Sequence, residues 1–310
     1  MGVLLVVAAA VISIEYSRLG PSAPAPRPDD PPQDTELFYV RDAQHSHVLV
    51  AYDWTGRRRG SITLPSWVDA SRVREASDGG AFMLDPTSSD YYAAYFDRLG
   101  HTVQEVEEPN FASQVWASDN RYACVIAASA GPVLITRLPG QPDRTVPIQE
   151  SNQVTIAACN PDRDVAILVA GSRVTVVKLS RGAVLAERDL GFNVSPVASR
   201  DAAFVAAGSG IYRATDLGTP VAEIDSSGTA FAFSGDGSLL LAGTGAWLEL
   251  IDWRKAASVW RQDLLGANIT AWIARPSGRE FAIGLESRSV MVVHRDGKTT
   301  TFAFGELVGH

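Results

Sequence analysis

A repeat of about forty residues runs along most of this chain and constrains its fold more than any other feature. Its clearest copy is the turn Phe233–Gly237 (FSGDG), which is followed by the apolar run Leu239–Gly243. The same turn recurs at intervals of 35 to 43 residues, with its fourth position at Asp78, Asp119, Asp162, Asp201, Asp236 and Ser277. Self-similarity at this period is typical of folds built from repeated supersecondary units.

A second position of the repeat counts the units independently. The third apolar run of each unit tends to end in a turn that contains aspartate, as in Ile251-Asp252-Trp253. In steps of 36 to 44 residues, this position falls at Asp53, Asp97, Pro139, Ser180, Asp216, Asp252 and Asp296. The sequence therefore predicts seven units.

Each unit has the composition of short β-strands joined by tight turns. From Glu36 onward, β-branched and aromatic runs alternate with Gly, Asp, Ser and Asn, and no helix signal is present. Asp, Asn and Ser side chains hydrogen-bond backbone groups two residues on, and Gly accepts positive φ, so such hairpins reverse tightly. The apolar runs are nearly continuous, as in strands that are covered on both faces. The predicted fold class is all-β.

Units of this length, with a turn like Phe233–Gly237 and a third strand ending like Ile251–Trp253, resemble those of WD40 and YVTN-type β-propellers. The resemblance covers about Glu36 to Gly305 and implies a seven-bladed β-propeller, whose radial packing protects strand edges. The sequence departs from the WD40 pattern because typical Gly-His pairs are absent and Asp252-Trp253 reverses the Trp-Asp dipeptide. It is more similar to a YVTN-like or divergent bacterial propeller.

The two ends of the repeat leave two ways of closing the ring. The first unit has room for three strands, near Leu37–Asp42, His47–Asp53 and Gly60–Leu64, whereas the last unit has room for four. The run Thr299–Phe304 is either the outer strand of blade seven or the missing inner strand of blade one. We predict the first, because the tight turn Arg295–Gly297 joins it to the preceding strand.

The first 35 residues differ in composition from the repeats. Residues Gly2–Ile14 are uncharged and almost wholly apolar, but as a helix they would extend only about 20 Å, against a hydrocarbon core of roughly 30 Å. We expect residues 1–20 to be a signal-anchor or transmembrane-like helix, 21–35 a Pro-rich, extended linker or stalk and 36–310 the propeller. The domain would then be membrane-anchored outside the cytoplasm. A cleaved signal peptide, giving a secreted protein, and a buried segment of a cytosolic protein are the alternatives.

Charge and motifs narrow the classes of function. The formal net charge is −8, and neutralising phosphates requires a basic surface, so we expect no nucleic-acid partner. No nucleotide-binding loop, nucleophile elbow or HExxH motif occurs, and we predict no catalytic, cofactor-binding or metal-binding residues. His45 and His47 would share a strand face, but the sequence offers no third ligand beside them.

An exported metal-dependent hydrolase is the alternative function. Propeller lactonases resemble this architecture and hold a metal in the central channel on carboxylate and Asn ligands. The candidates here are Glu75 and Asn160, which occupy different positions of the repeat and therefore do not form a converging set.

A binding function rests on the loops of one face. Propellers that resemble this one bind partners on the face formed by the inter-blade loops and the loops between second and third strands. The most irregular such loop combines acidic, hydroxyl and aromatic groups, as interaction surfaces often do. The candidate partner-binding residues are Asp85, Ser88, Asp90, Tyr91 and Tyr92 in this loop, with Trp67 and Trp247 elsewhere. We predict a scaffold that binds a protein or small ligand on this face, with a merely solvated loop as the rival interpretation.

Cys124 and Cys159 fit no zinc or redox spacing. They fall on adjacent blades, on the second strand of blade three and at the end of the first strand of blade four. Either they form one disulfide, which an exported location would permit, or they are two independently buried thiols.

Overall fold

The computed structural model describes residues 36–66, 68, 73–75, 81–84, 92–97, 102–107, 111–118, 121–127, 133–136, 144–147, 154–191, 196–224, 229–244, 247–264, 267–302 and 305–309. Within these ranges the regular structure is entirely β, as predicted. In chain order the strands are β1 (Phe38–Arg41), β2 (Val48–Tyr52), β3 (Arg58–Thr63), β4 (Val73–Glu75), β5 (Ala81–Leu84), β6 (Tyr92–Asp97), β7 (Thr102–Glu107), β8 (Phe111–Ser118), β9 (Arg121–Ala127), β10 (Val133–Thr136), β11 (Arg144–Pro147), β12 (Val154–Asn160), β13 (Val165–Ala170), β14 (Arg173–Lys178), β15 (Ala183–Asp189), β16 (Val197–Ala198), β17 (Phe204–Ala207), β18 (Gly210–Arg213), β19 (Asp216–Glu223), β20 (Thr229–Phe233), β21 (Leu239–Gly243), β22 (Trp247–Asp252), β23 (Ala257–Asp263), β24 (Ile269–Ala274), β25 (Phe281–Leu285), β26 (Ser289–Val293) and β27 (Thr299–Phe302).

In the described parts of the chain these strands form seven antiparallel sheets, each made of strands that follow one another in sequence. Sheet 1 contains β1–β3, sheet 2 β4–β7, sheet 3 β8–β11, sheet 4 β12–β15, sheet 5 β16–β19, sheet 6 β20–β23 and sheet 7 β24–β27. The first strands of sheets 3 to 7 contact one another in succession. First strands therefore lie at the centre of a radial array, and fourth strands lie at its rim.

Burial follows this radial order. The second strand of sheet 4, β13 (VAILVA), is buried along nearly its whole length, whereas the fourth strand β15 is mostly exposed. Sheet 7 shows the same contrast between β25 and β27. Because neighbouring sheets cover a second strand on both faces, its sequence is a continuous apolar run and does not alternate.

The apolar core is divided among the junctions between sheets. At the junction of sheets 6 and 7, Leu241 and Leu250 pack with Phe281 and Met291, and all four are buried. Burying one such side chain contributes roughly 1.5–3 kcal/mol. The junction of sheets 4 and 5 has a comparable cluster of aliphatic residues. Each sheet is therefore stabilised mainly by its two neighbours.

The array closes through residues 306–308, beyond the run that was predicted to end the last unit. The strand β27 pairs with β26, so its prediction as the outer strand of the last unit is confirmed. Residues 306–308 then run antiparallel to β1: Arg41 N donates to the Glu306 carbonyl at 2.8 Å, and Val308 N donates to the Tyr39 carbonyl at 2.9 Å. A β-bridge pairs Val40 with Leu307. The closing segment therefore occupies the inner position of sheet 1, the position that its own unit lacks.

Both apolar side chains of the closing segment are buried, on opposite sides of sheet 1. Leu307 packs into the cluster shared with sheet 7, and Val308 packs into the cluster that includes Val68 and Val73 beside sheet 2. The segment thus joins both neighbours of sheet 1.

The predicted N-terminal segment 1–20 and linker 21–35 lie outside the described residues. In the part of the chain that the structure describes, no helix has the length and apolar character needed to cross a membrane.

Candidate functional site

The strand order gives the array two faces. The turns that join first to second and third to fourth strands lie on one face, which we call the lower face. The turns that join second to third strands, and the loops between consecutive sheets, lie on the opposite, upper face. The interaction surface predicted from the sequence is the upper face.

A repeated turn builds the lower face. In sheet 6, Ser234 Oγ donates to Asp236 Oδ1 at 2.7 Å and accepts a hydrogen bond from Leu239 N at 2.9 Å. Ser199 and Asp201 form the same side-chain pair in sheet 5, also at 2.7 Å. Both serines are fully buried, and the turn satisfies their hydroxyl groups where water does not reach. Asp201 and Asp236 are therefore structural residues.

Ion pairs link neighbouring sheets across this lower face. Burial raises the pKa of Asp236, but hydrogen bonds from Ser238 and Arg279 outweigh burial and hold that pKa well below its ordinary range. Burial likewise opposes ionisation of Glu36, and the hydrogen bond from Arg275 helps to bring its pKa below the usual value. The pairs are Arg163–Asp201 (2.9 Å), Arg279–Asp236 (2.6 Å) and Arg275–Glu36 (2.6 Å).

Most of the predicted binding residues lie outside the described part of the chain. These are Trp67, Asp85, Ser88, Asp90 and Tyr91. Tyr92 begins β6, of which only the backbone is described.

Trp247 is the predicted binding residue whose side chain is described. It begins β22, directly after the upper-face turn of sheet 6, and it is half-buried. The Arg261 guanidinium carbon lies 4.3 Å from the centre of its ring, a cation–π contact that contributes about 0.5–1 kcal/mol at exposed sites. The indole thus packs against Arg261 at the upper face.

The histidine pair lies in the turn between β1 and β2. With the closing segment as the inner strand of sheet 1, β1 and β2 are its second and third strands, so this turn lies on the upper face. His45 Nδ1 lies 3.3 Å from Asp42 Oδ1, and the same carboxylate accepts a hydrogen bond from Gln44 N at 2.7 Å, which lowers the pKa of Asp42. These contacts cap the turn locally.

The two channel candidates do not come together as ligands. Asn160 Oδ1 accepts a hydrogen bond from Arg163 N at 3.0 Å in a lower-face turn, and Glu75 ends β4, where its side chain is outside the described structure. Among the residues whose positions are described, no group of three or more His, Cys, Asp or Glu side chains could hold a metal ion.

A disulfide joins sheets 3 and 4. It links Cys124 of β9 to Cys159 of β12, and their Cα atoms are 6.4 Å apart. Cys124 is fully buried, and both residues belong to an apolar cluster with Leu134 and Ile156. At the outer side of the same junction, an apolar cavity of about 340 Å³ is bordered by Val184, which is 55% exposed.

A second, polar cavity of about 360 Å³ lies on the upper face where sheets 7 and 1 meet. Its lining was not predicted from the sequence. Ala271, Leu285 and Leu307 give it an apolar floor. Four charged side chains surround that floor: Arg41, Glu286, Arg288 and Glu306.

The turn that carries two of these charges is held from both sides. Arg288 N donates to the Leu285 carbonyl at 2.9 Å, and Glu286 N donates to the Asn268 carbonyl at 2.9 Å. On the other side, Gly305 N donates to the Arg288 carbonyl at 2.9 Å. Arg288 has a φ of 58°, a left-handed conformation that disfavours non-glycine residues. The surrounding contacts therefore fix the backbone from which both side chains project.

The four charges are compensated unequally. Arg41 Nη1 and Glu306 Oε2 form an ion pair at 2.9 Å. Glu286 accepts a hydrogen bond from the neutral Asn268 amide at 2.8 Å, with no cation paired to it among the described residues. Within the same described set, the Arg288 guanidinium has neither a hydrogen-bond nor an ion-pair partner. The cavity thus presents one positive and one negative side chain that are not neutralised.

One sequence signal could have pointed to this turn. The corresponding upper-face turns of sheets 4 and 5 begin with Gly171-Ser172 and Gly208-Ser209, whereas sheet 7 has Glu286-Ser287-Arg288 without glycine. At this position of the repeat, charged residues replace glycine, although the positive φ of Arg288 disfavours a non-glycine residue. Such a departure from the repeat indicates a local role.

Comparison with known proteins bears on the architecture alone. Neither protein-family models nor curated proteins give a match, but 1124 chains of solved structures do. One is the β-propeller domain of Cps50 (Swd1) from Myceliophteria thermophila, with a TM-score of 0.53 over 87% of this chain and 96% of that chain. The fold is a β-propeller. At 11% identity the likeness extends to the fold and no further, so the propeller's function has to be argued from its own residues.

Proposed function

We propose that this chain is a seven-bladed β-propeller, tethered to a membrane outside the cytoplasm, whose upper face binds a protein or small ligand. The observation that carries the binding role is the difference between the faces. Acidic side chains of the lower face pair with arginines of adjacent sheets. On the upper face Glu286 accepts a hydrogen bond from the neutral Asn268 amide, but neither Glu286 nor Arg288 forms an ion pair with a described residue.

Two features support seven blades in one ring. The two repeat positions predict seven units from the sequence, and the described strands fall into seven sheets. Residues 306–308 supply the inner strand that the first sheet lacks, and they contact sheet 1 and its neighbours. A ring closed in this way has no exposed inner edge.

Two features support a location outside the cytoplasm. The apolar run Gly2–Ile14 and the Pro-rich segment 21–35 have the composition of an anchor and a stalk. The Cys124–Cys159 bond would persist in an oxidising compartment and would be rare in the cytosol.

The binding role can be tested by photo-crosslinking in intact cells that make the full chain. A photo-reactive phenylalanine analogue is placed at Gln44 or Ser287 on the upper face, and at Asp162 or Ser277 on the lower face as matched controls. All four positions are exposed. We expect a crosslinked protein adduct from the upper positions alone; adducts from the lower positions only, or from none of the four, would contradict a protein partner on the upper face.

The location can be tested by thiol labelling of the same cells without reductant. If the chain is exported and oxidised, a maleimide reagent labels neither cysteine in the denatured protein until a reductant is added. The Cys124→Ser variant should expose one reactive thiol at Cys159. Two labelled thiols in wild type, together with a protein that fractionates as soluble and cytosolic, would show the location to be wrong.

A further inference from the structure

We propose that the polar cavity between sheets 7 and 1 binds a small zwitterion with an apolar body, the chemistry of a free aliphatic amino acid. This inference rests on the proposed binding function and gives the upper face a ligand class. It is carried by the charge pattern of the cavity, by its apolar floor and by the rigidity of the turn beside it.

The charges favour a ligand that bears both signs. The Arg41–Glu306 pair is internally neutral at 2.9 Å, which leaves one cation, Arg288, and one anion, Glu286. A simple anion would neutralise the first and face repulsion from the second, and a simple cation would do the reverse. A carboxylate suits the planar fork of a guanidinium, and an ammonium group donates well to a carboxylate. A zwitterion satisfies both sites at once.

The floor and the size of the cavity restrict the rest of the ligand. Ala271 and Leu307 are buried and Leu285 is half-buried, so the base of the cavity is apolar. The volume of about 360 Å³ lies at the lower end of the roughly 300–1,000 Å³ found for small-molecule sites. A molecule of amino-acid size fits this description, with a branched aliphatic group against the leucines.

The site is organised before a ligand arrives. The turn Leu285–Arg288 is hydrogen-bonded to Asn268 on one side and to Gly305 on the other. Little backbone ordering is therefore left for binding to bring about, which favours affinity. Because Glu306 and Leu307 belong to the closing segment, a ligand in the cavity also contacts the strand that closes the ring.

The test measures direct binding to the full chain, in detergent solution, with four probes. L-leucine carries both charges and the apolar body. 4-Methylpentanoate lacks the ammonium group, 3-methylbutylamine lacks the carboxylate, and glycine lacks the apolar body. By calorimetry or equilibrium dialysis we expect L-leucine to bind at least tenfold more tightly than each of the other three. Equal affinities, or no binding of L-leucine at millimolar concentrations, would overturn the proposal.

Two charge-removing variants assign the binding to this cavity. Glu286→Gln keeps an oxygen that can accept the hydrogen bond from Asn268, so it should lower leucine affinity to that of 4-methylpentanoate. Arg288→Gln should lower it to that of 3-methylbutylamine. The control is Arg295→Gln, an exposed arginine in the lower-face turn of sheet 7, which should leave affinity unchanged. Leucine binding that all three variants retain would place the ligand elsewhere.

A stability readout gives a second measure of binding at this cavity. Saturating L-leucine should raise the melting temperature of wild type and of Arg295→Gln, but not that of Arg288→Gln, because a ligand that binds the folded state stabilises it. If leucine fails to bind while photo-crosslinking still labels the upper face, the ligand class is wrong and the binding face stands. If both fail, the proposed function is wrong as well.

Discussion

Two arginines of sheet 7, Arg279 on the lower face and Arg288 on the upper face, are used differently. On the lower face, Arg279 donates to Asp236 of sheet 6 at 2.6 Å and joins the two sheets. On the upper face, Arg288 lies beside a cavity; its guanidinium has no partner among the described residues, and its backbone has a φ of 58°. The first arginine is explained by the stability of the fold, whereas the second is not.

The contrast extends to the turns around these residues. The lower-face turns of sheets 5 and 6 share one hydrogen-bonding scheme, so selection for a stable reversal accounts for their sequences. The upper-face turn of sheet 7 departs from its counterparts and carries charge in its place. Loops held by a rigid scaffold commonly carry function. In a repeat protein, a turn that departs from the repeat is therefore a candidate functional site.

The largest expected effect on stability concerns the closing segment. This segment both completes sheet 1 and lines the upper-face cavity. Leu307 is 2% exposed and packs against sheet 7. Replacing a buried leucine by alanine leaves a cavity and costs about 2–5 kcal/mol, so we expect Leu307→Ala to lower the free energy of unfolding by that amount in urea denaturation. The control Thr301→Ala changes an exposed residue of β27. Equal stabilities of the two variants would show that the segment does not close the ring.

The next largest loss of stability is expected on the lower face, where two glycines can be compared. A Cβ on Gly235 would collide with the carbonyl oxygens of Arg275 and Pro276 in the next sheet, whereas a Cβ on Gly237 would meet no atom. Gly237 has a φ of 66°, so its substitution introduces strain alone. We expect Gly235→Ala to cost about 1–3 kcal/mol from overpacking and Gly237→Ala about 1 kcal/mol. Chemical denaturation gives the order; a reversed order would contradict the close approach of the two sheets.

A smaller effect should appear as a change in pH dependence. The folded-state pKa of Asp236 lies well below its ordinary value of 3.8, so its contribution to stability is present above about pH 4 and is lost as the pH falls toward the folded-state pKa. Wild type should therefore exceed Asp236→Asn in unfolding free energy at pH 7, and the gap should narrow at pH 3. Asp162→Asn, in an exposed turn of sheet 4, serves as the control. A gap that is constant with pH would contradict an ionised, hydrogen-bonded Asp236.

The sequence predicted the lower face better than the upper face for a physical reason. Asp201 and Asp236 act on groups two residues away, so their role is local, and it is the same in sheets 5 and 6. The polar cavity instead depends on residues that are far apart in the sequence. Two of its lining residues, Arg41 and Glu306, form an ion pair although they are 265 residues apart. No periodic pattern marks such a pair, and a closing segment of three residues is too short to show strand alternation. The radial, all-β fold was predictable because it repeats; the site was not, because it occurs where the two ends of the repeat meet.

The smallest expected effect on stability belongs to the upper face. Glu286 and Arg288 are exposed and make no described ion pair, and surface substitutions of this kind usually change the unfolding free energy by less than about 0.5 kcal/mol. Glu286→Gln and Arg288→Gln should therefore match wild type in urea denaturation without ligand. Arg288→Gly should be as stable or slightly more so, because glycine accepts a positive φ. A loss above about 1 kcal/mol from either glutamine variant would mean that these charges serve folding, as those of the lower face do, and would remove the reason to assign them to a ligand.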